Sequence, residues 1–156
     1  MSAKIAVGGK APGFKLTCDG GGEVSLADFK GRKLVLYFYP KADTPGCTVE
    51  AKDFSRLARA FGRAGTAILG VSADPVSKQD KFKAKYDLSL MLGSDESHEM
   101  LTAYGVWAKK SMWGRSYMGV LRNTYLVGPD GRIARIWEKV KVAGHAEEVL
   151  AAAKDL

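Results

Sequence analysis

Residues 34–39, LVLYFY, form a continuous apolar run that begins the stretch around which the chain is organised. A short run rich in aromatic and branched apolar residues predicts a strand that is buried on both faces. Pro40 ends it, because proline cannot donate to a sheet ladder. The sequence TPG at 44–46 then predicts a helix start, with Thr44 as N-cap and proline as first helical residue. Cys47 is therefore expected in the first turn of a helix, above the end of a central strand.

The rest of the chain carries further strand and helix patterns. Residues 14–18 and 23–26 alternate apolar and polar positions around a glycine-rich turn, which predicts a hairpin. The helix that follows Cys47 has an apolar face that includes Phe54 and Phe61, and Gly62 or Gly65 is expected to end it. The remaining predicted elements are a short helical turn at 27–32, a buried strand at 66–73, a helix at 77–87, a short strand at 90–92, a short helix at 96–104, an irregular aromatic and basic segment at 106–119, strands at 123–127 and 133–140 joined by a turn, and a closing helix at 145–154.

This order of elements predicts an α/β fold. The early strand–helix–strand unit implies parallel pairing, and the late hairpin implies an antiparallel part. We therefore expect a mixed central β-sheet flanked by helices, with an N-terminal hairpin and an extended lead-in over residues 1–13. The 156 residues suit one domain with a proper core, and no repeat, linker or low-complexity tract divides them. The prediction is a single domain over 1–156.

Composition excludes several classes of protein. The apolar share of 46% and the charged share of 26% are ordinary for a globular protein, and no run approaches the roughly 18 apolar residues of a membrane helix. The N-terminus lacks an apolar core of signal-peptide length, so no export signal is expected. Two cysteines, with no CxxC and no Cys/His cluster, provide neither a disulfide scaffold nor a zinc site. A cytoplasmic protein without metal or cofactor is the simplest interpretation.

The net charge of +7 raises the question of nucleic-acid binding. The lysines and arginines are spread along the chain, and no finger, basic region or aromatic binding signature accompanies them. Solvated faces of a basic protein explain the charge better, and the charge would also attract anionic partners or substrates. No nucleic-acid partner is expected.

Cys47 is the candidate for chemistry. The free N–H groups and the positive end of the helix dipole favour an anionic sulfur in the first helical turn. A cation nearby would add to this, and Arg122, which opens the strand NTYLV, is the best placed candidate. A lone cysteine is also common as a small buried hydrophobe. On position alone, the two interpretations of Cys47 are evenly balanced.

Pro40, Thr44 and Cys47 form the pattern P-x-x-x-T-x-x-C, which resembles the active-site signature of the peroxiredoxins. The surrounding YFYPKADTPGCTVEAKDF is similar to the peroxiredoxin Q subfamily, also called bacterioferritin comigratory protein. The similarity continues through YGVW, SYMGVLRNTYLVGPDGRI and the closing helix, so it covers most of the chain. It implies a thioredoxin-like fold with an added N-terminal hairpin and the activity of a thiol peroxidase, with an antioxidant role.

The resemblance also implies roles for individual residues. Cys47 would be the thiolate that attacks the terminal peroxide oxygen and becomes a sulfenic acid. Thr44 would hydrogen-bond both thiolate and peroxide, and Pro40 would shield the sulfur from bulk water. Arg122 would stabilise the thiolate and the charge on the leaving oxygen, and the backbone N–H groups of Gly46 and Cys47 would help to hold the peroxide. Glu50 is a further candidate, as a hydrogen-bond partner of the arginine.

One departure from the subfamily concerns the second cysteine. Many members carry a resolving cysteine five residues after the first, where this chain has Lys52, and others carry it in the next helix, where 76–87 has none. Cys18 is the only other thiol, and half-buried packing is its favoured role, since a disulfide requires Cα atoms within about 7 Å. A one-cysteine mechanism follows, with thioredoxin, glutaredoxin or a small thiol as reductant.

Three alternatives remain open at this point. Cys18 could resolve Cys47 in a two-cysteine mechanism, or the chain could be a redox sensor whose oxidised Cys47 forms a mixed disulfide with a partner. A thioredoxin-like disulfide reductase is the third, and the lack of a CxxC argues against it. The protein is expected to be a monomer.

Overall fold

The computed structural model describes residues 5–156, so the first four residues of the predicted lead-in lie outside the described part. Its strands are β1 (Lys15–Cys18), β2 (Glu23–Ser25), β3 (Lys33–Phe38), β4 (Thr66–Ser72), β5 (Met91–Ser94), β6 (Trp107–Met112), β7 (Arg115–Val120), β8 (Thr124–Val127) and β9 (Ile133–Trp137). Its helices are α1 (Pro45–Arg56), α2 (Ala58–Arg63), α3 (Val76–Tyr86), α4 (Glu99–Ala103) and α5 (His145–Asp155). Short 3-10 turns cover Asp19–Gly21 and Leu26–Phe29.

Seven strands form one mixed sheet in the order β2-β1-β5-β4-β3-β8-β9. β3, β4 and β5 are parallel, as expected where helices connect successive strands. β8 pairs antiparallel with β3, and β9 with β8. The hairpin of β1 and β2 joins the sheet through β5. The predicted mixed sheet with an N-terminal hairpin is confirmed.

β3 is buried on both faces, as its unbroken apolar run predicts. Leu34, Leu36 and Phe38 belong to a core on one face, which α4 and the N-terminal hairpin help to cover. Val35 and Tyr37 belong to a second core on the other face, between the sheet and α1, α2, α3 and α5. Because β3 is central and covered on both sides, its end is a rigid platform for the loop that leads to Cys47.

The helix after Cys47 is shorter than predicted. It leaves helical geometry at Leu57 (φ −96°, ψ 3°), so α1 ends at Arg56 and α2 begins at Ala58. The break keeps Phe54 and Phe61 fully buried, with their ring centroids 5.9 Å apart. The apolar face was predicted correctly, but one continuous helix to Gly62 or Gly65 was wrong.

The segment at 106–119 is not irregular, as predicted, but forms a second β-hairpin outside the main sheet. β6 and β7 pair from Trp107↔Val120 to Met112↔Arg115, around a two-residue turn in which Trp113 and Gly114 have φ values of 57° and 74°. Two positive φ values are typical of a type I′ turn, for which Asn-Gly is the usual sequence signal. Both faces of this ribbon are largely exposed, so no alternating pattern marks it in the sequence.

Candidate active site

Cys47 lies in the first turn of α1, as predicted. Thr44 occupies the N-cap position and Pro45 the first helical position, and the Thr48 N–H donates to the Thr44 carbonyl at 2.8 Å. The Thr44 hydroxyl does not cap the helix, however, because it donates to the Lys41 carbonyl at 2.7 Å. The side chain of Cys47 is only 1% exposed, and it packs in the same core as Tyr37 and Phe54.

Arg122 comes to Cys47 from a distant part of the chain. It precedes β8, which lies beside β3, and its carbonyl accepts a hydrogen bond from the Val140 N–H at 2.8 Å. Its guanidinium Nη2 donates to the Cys47 Sγ at 3.3 Å, and its Nη1 donates to a Glu50 carboxylate oxygen at 2.7 Å. The planar fork of the arginine therefore holds a sulfur and a carboxylate at once.

Glu50 is the buried partner in this arrangement. Its side chain is 1% exposed, and its second carboxylate oxygen has no hydrogen-bond partner among residues 5–156. Burial raises the pKa of Glu50 to about 7, although the charge of Arg122 acts to lower it. Burial also opposes the charge of Arg122, but the neighbouring Glu50 and Cys47 more than compensate and raise the pKa of Arg122. The carboxyl of Glu50 is thus a titrating group near neutral pH.

Gly46 and Pro40 frame the sulfur. Gly46 is exposed, and a Cβ at this position would lie 3.1 Å from the Arg122 Nη2, so the absence of a side chain leaves room for the arginine. Pro40 is half-buried directly after β3. The structure thus brings Pro40, Thr44, Gly46 and Arg122 around the end of β3 and the start of α1, where Cys47 lies.

Two neighbours of the site were not identified from the sequence. Tyr37 lies beneath it, with a hydroxyl that has no partner among the described residues, and burial raises the pKa of Tyr37 well above its ordinary value. Lys110 of β6 is close enough to sense the charges of Arg122 and Cys47, and burial together with Arg122 lowers the pKa of Lys110. Only the unpredicted hairpin brings Lys110 here, so no signal in the sequence could have located it.

Cys18 is far from Cys47 and on the opposite face of the sheet. A row of paired residues crosses the sheet from Cys18 through Gly93 and Val71 to Phe38, just before the Cys47 loop. Three strand spacings amount to roughly 14 Å, about twice the Cα separation that a disulfide allows. Cys18 is buried in the other core and donates to the Gly22 carbonyl at 3.3 Å, and burial raises the pKa of its thiol. Both cysteines are free thiols.

Two other kinds of site were searched for within residues 5–156. No group of three or more His, Cys, Asp or Glu side chains there could hold a metal ion. None of the described helices is long and apolar enough to cross a membrane.

Residues 7–136 match the AhpC/TSA family. Peroxiredoxin Bcp of Bacillus subtilis is 44% identical over 152 residues, which are 97% of this chain and 97% of that protein. A putative peroxiredoxin bcp of Coxiella burnetii is 46% identical over 146 residues, covering 94% of this chain and 97% of that protein.

Solved structures agree with these relatives. A variant of peroxiredoxin Q from Xylella fastidiosa superposes with a TM-score of 0.93 at 36% identity, over 98% of both chains. Bacterioferritin comigratory protein of Xanthomonas campestris, described for its alkyl peroxide reduction, superposes with a TM-score of 0.87 at 44% identity, over 91% of this chain and 90% of that one.

Proposed function

The chain belongs to the AhpC/TSA family and is a peroxiredoxin with a thioredoxin-like fold, and from this premise we propose that Cys47 is its peroxidatic residue in a one-cysteine cycle. The substrates are hydrogen peroxide and organic hydroperoxides, which are reduced to water and alcohols. The enzyme serves antioxidant defence and redox homeostasis.

The observation that carries this proposal is the 3.3 Å contact between the Arg122 Nη2 and the Cys47 Sγ, at the first turn of α1. A guanidinium and a helix N-terminus both stabilise a thiolate at this point. The thiolate attacks the terminal peroxide oxygen, an S–O bond forms as the O–O bond breaks, and the departing hydroxide or alkoxide takes up a proton. Arg122 lies where it can stabilise the negative charge on that leaving oxygen.

The other residues around Cys47 orient the peroxide. Thr44 donates its hydroxyl hydrogen to the Lys41 carbonyl, so its oxygen is free to accept the hydrogen of a hydroperoxide. To donate to the thiolate as well, that hydroxyl would have to rotate away from Lys41. The N–H groups of Gly46 and Cys47 lie in the first helical turn and bind the peroxide oxygens. Pro40 limits the access of water to the sulfur.

The sulfenic acid is resolved by an external thiol of the thioredoxin or glutaredoxin type, or by a small thiol. The separation of Cys18 from Cys47 by three strand spacings supports this, since no internal bridge can form without a large rearrangement. The chain needs no metal or organic cofactor, because the peroxide bond is itself the oxidant. It acts as a monomer in a reducing cytoplasm, which agrees with two free thiols.

Peroxide consumption with thioredoxin and its reductase tests the cycle. Cys47→Ser should abolish turnover, and Cys18→Ser should retain it. A mass spectrum after one equivalent of peroxide should show one added oxygen, trapped at Cys47. A Cys18–Cys47 bridge in that spectrum would contradict the one-cysteine cycle, and activity in the Cys47→Ser variant would contradict the assignment of Cys47.

A further inference from the structure

A concave groove runs between the Cys47 loop and α3. It has a volume of about 830 Å³, and Thr44 borders it at the end near the catalytic helix. Its walls are the loop from Lys41 to Thr44 on one side and α3 on the other. A cavity of this size lies within the range of small-molecule sites.

Lysines dominate the lining of this groove. Lys41, Lys78 and Lys81 are exposed, and none of them forms an ion pair with another residue of 5–156. Lys85 is the fourth, and the lining holds a single acidic residue, Asp43, which Lys85 neutralises at 2.9 Å. The groove therefore presents three uncompensated positive charges.

Lys52 adds a positive charge close to this groove. Its ammonium lies 5.9 Å from the centroid of the Tyr86 ring, whose other close cation is Lys85 at 5.3 Å. Many relatives have their resolving cysteine where this chain has Lys52. The chain thus lacks an internal thiol at this position and has a cation beside the groove instead.

The walls of the groove are held in place by hydrogen bonds. Asp43 adopts a left-handed conformation (φ 61°) and accepts hydrogen bonds from Lys85 and, at 2.6 Å, from the Tyr86 hydroxyl of α3. The Ala42 N–H donates to Asp74 at 2.8 Å. The loop is therefore fastened to α3, and the groove is formed before any ligand arrives, which reduces the entropy lost on binding.

We infer that this groove binds the reductant, and that the reductant is a small thiol carrying carboxylates. This inference rests on the one-cysteine cycle proposed above. The carboxylates pair with Lys41, Lys78 and Lys81 while the thiol reaches past Thr44 to the sulfur. That thiol attacks the Cys47 sulfenic acid, forming a mixed disulfide and releasing water. A second molecule of the thiol then frees the Cys47 thiolate and leaves as the disulfide of the reductant.

A small thiol fits these observations better than a protein does. Cys47 is 1% exposed, so its sulfur is within reach of a slender molecule that enters the groove but not of a convex protein surface. The uncompensated lysines then raise the local concentration of an anionic thiol and its rate of encounter.

The test times the reductive step alone, starting from protein that has already been oxidised at Cys47 with one equivalent of peroxide. Glutathione supplies two carboxylates, and cysteamine supplies a thiol with a positive charge and no carboxylate. In the wild type, the rate with glutathione should fall as salt rises, and the rate with cysteamine should not. Equal salt dependence for both thiols would overturn the inference.

Charge reversal locates the effect. Lys78→Glu/Lys81→Glu should slow glutathione about tenfold and leave cysteamine equal or faster. The control, Lys30→Glu/Lys154→Glu, makes the same change in net charge on lysines that do not line the groove. Equal slowing by both double variants would refute the groove. Slowing of thioredoxin but not of glutathione by the groove variant would overturn the small-thiol assignment in favour of an acidic protein partner. Failure of the proposed function is distinct, because no sulfenic acid would then form at Cys47.

Discussion

Replacing Glu50 by glutamine should change how stability depends on pH. The pKa of about 7 against the ordinary 4.5 means that the folded state holds the carboxyl proton more tightly than the unfolded state does. Stability from this group is therefore intact below about 4.5 and falls as the pH rises to about 7. At about 1.4 kcal/mol per pKa unit, the ionised carboxylate costs the fold about 3 kcal/mol above neutral pH.

The free energy of unfolding of Cys47→Ser and of Cys47→Ser/Glu50→Gln, from urea titrations, checks this without interference from the thiol. The two proteins should be nearly equal at about pH 4, and the glutamine variant should be more stable by up to about 3 kcal/mol at about pH 8. Glu147 is the matched control, because it is exposed and its hydrogen bond with Arg56 lowers the pKa of its carboxyl. Glu147→Gln should bring no gain at high pH. A constant difference between Glu50→Gln and its parent across the range would refute the reasoning.

Three further predictions follow from contacts around the site and in the core. Arg122→Lys should slow the oxidation of Cys47 by peroxide about 100-fold, in stopped-flow measurements, because one ammonium cannot reproduce the guanidinium fork. Burial lowers the pKa of His145 to about 4, so stability from this group should fall as the pH drops from 6.5 to about 4, by up to about 3 kcal/mol, and urea unfolding of His145→Asn should lack that loss. Gly70→Ala should cost about 1–3 kcal/mol in urea unfolding, because its Cβ would meet the Tyr37 ring at 2.7 Å.

Each of these has a result that would count against it. An unchanged rate of Cys47 oxidation in Arg122→Lys would remove the arginine from the peroxide step. A wild type and a His145→Asn variant that lose stability in parallel with acid would mean that His145 is not buried in its neutral form. Gly62→Ala is the control for Gly70→Ala, since nothing lies within 4 Å of a Cβ at Gly62. Equal losses in the two alanine variants would contradict the contact with Tyr37.

Local patterns predicted the elements that carry the site. The apolar run before Pro40 is a central strand because only a strand covered on both faces tolerates six consecutive apolar positions. The TPG start and the place of Cys47 in the first helical turn were also predicted correctly. Where only short-range signals were available the prediction failed, as at Leu57, where tertiary packing of two phenylalanines overrides helix continuity.

The histidines and the second hairpin show the same limit. A surface or capping role was the natural expectation for His145, yet its ring is buried between Phe54 and Trp137 and its Nε2 lies 2.8 Å from the Thr124 hydroxyl. β6 and β7 are exposed on both faces, so neither burial nor periodicity marks them in the sequence. Both outcomes depend on packing between segments that are distant along the chain.

The sequence by itself determined the fold class, the family and the identity of the candidate nucleophile, because these depend on local periodicity, turn chemistry and a compact motif. Tertiary structure alone decided what surrounds that nucleophile. Pairing of β8 with β3 brings Arg122 to the sulfur, although 75 positions separate the two residues. The same sheet puts Cys18 on the far face, and the packing of α3 against the catalytic loop creates the lysine groove. A strand order cannot be read from one segment, since it is set by how all the apolar faces of the chain are buried together.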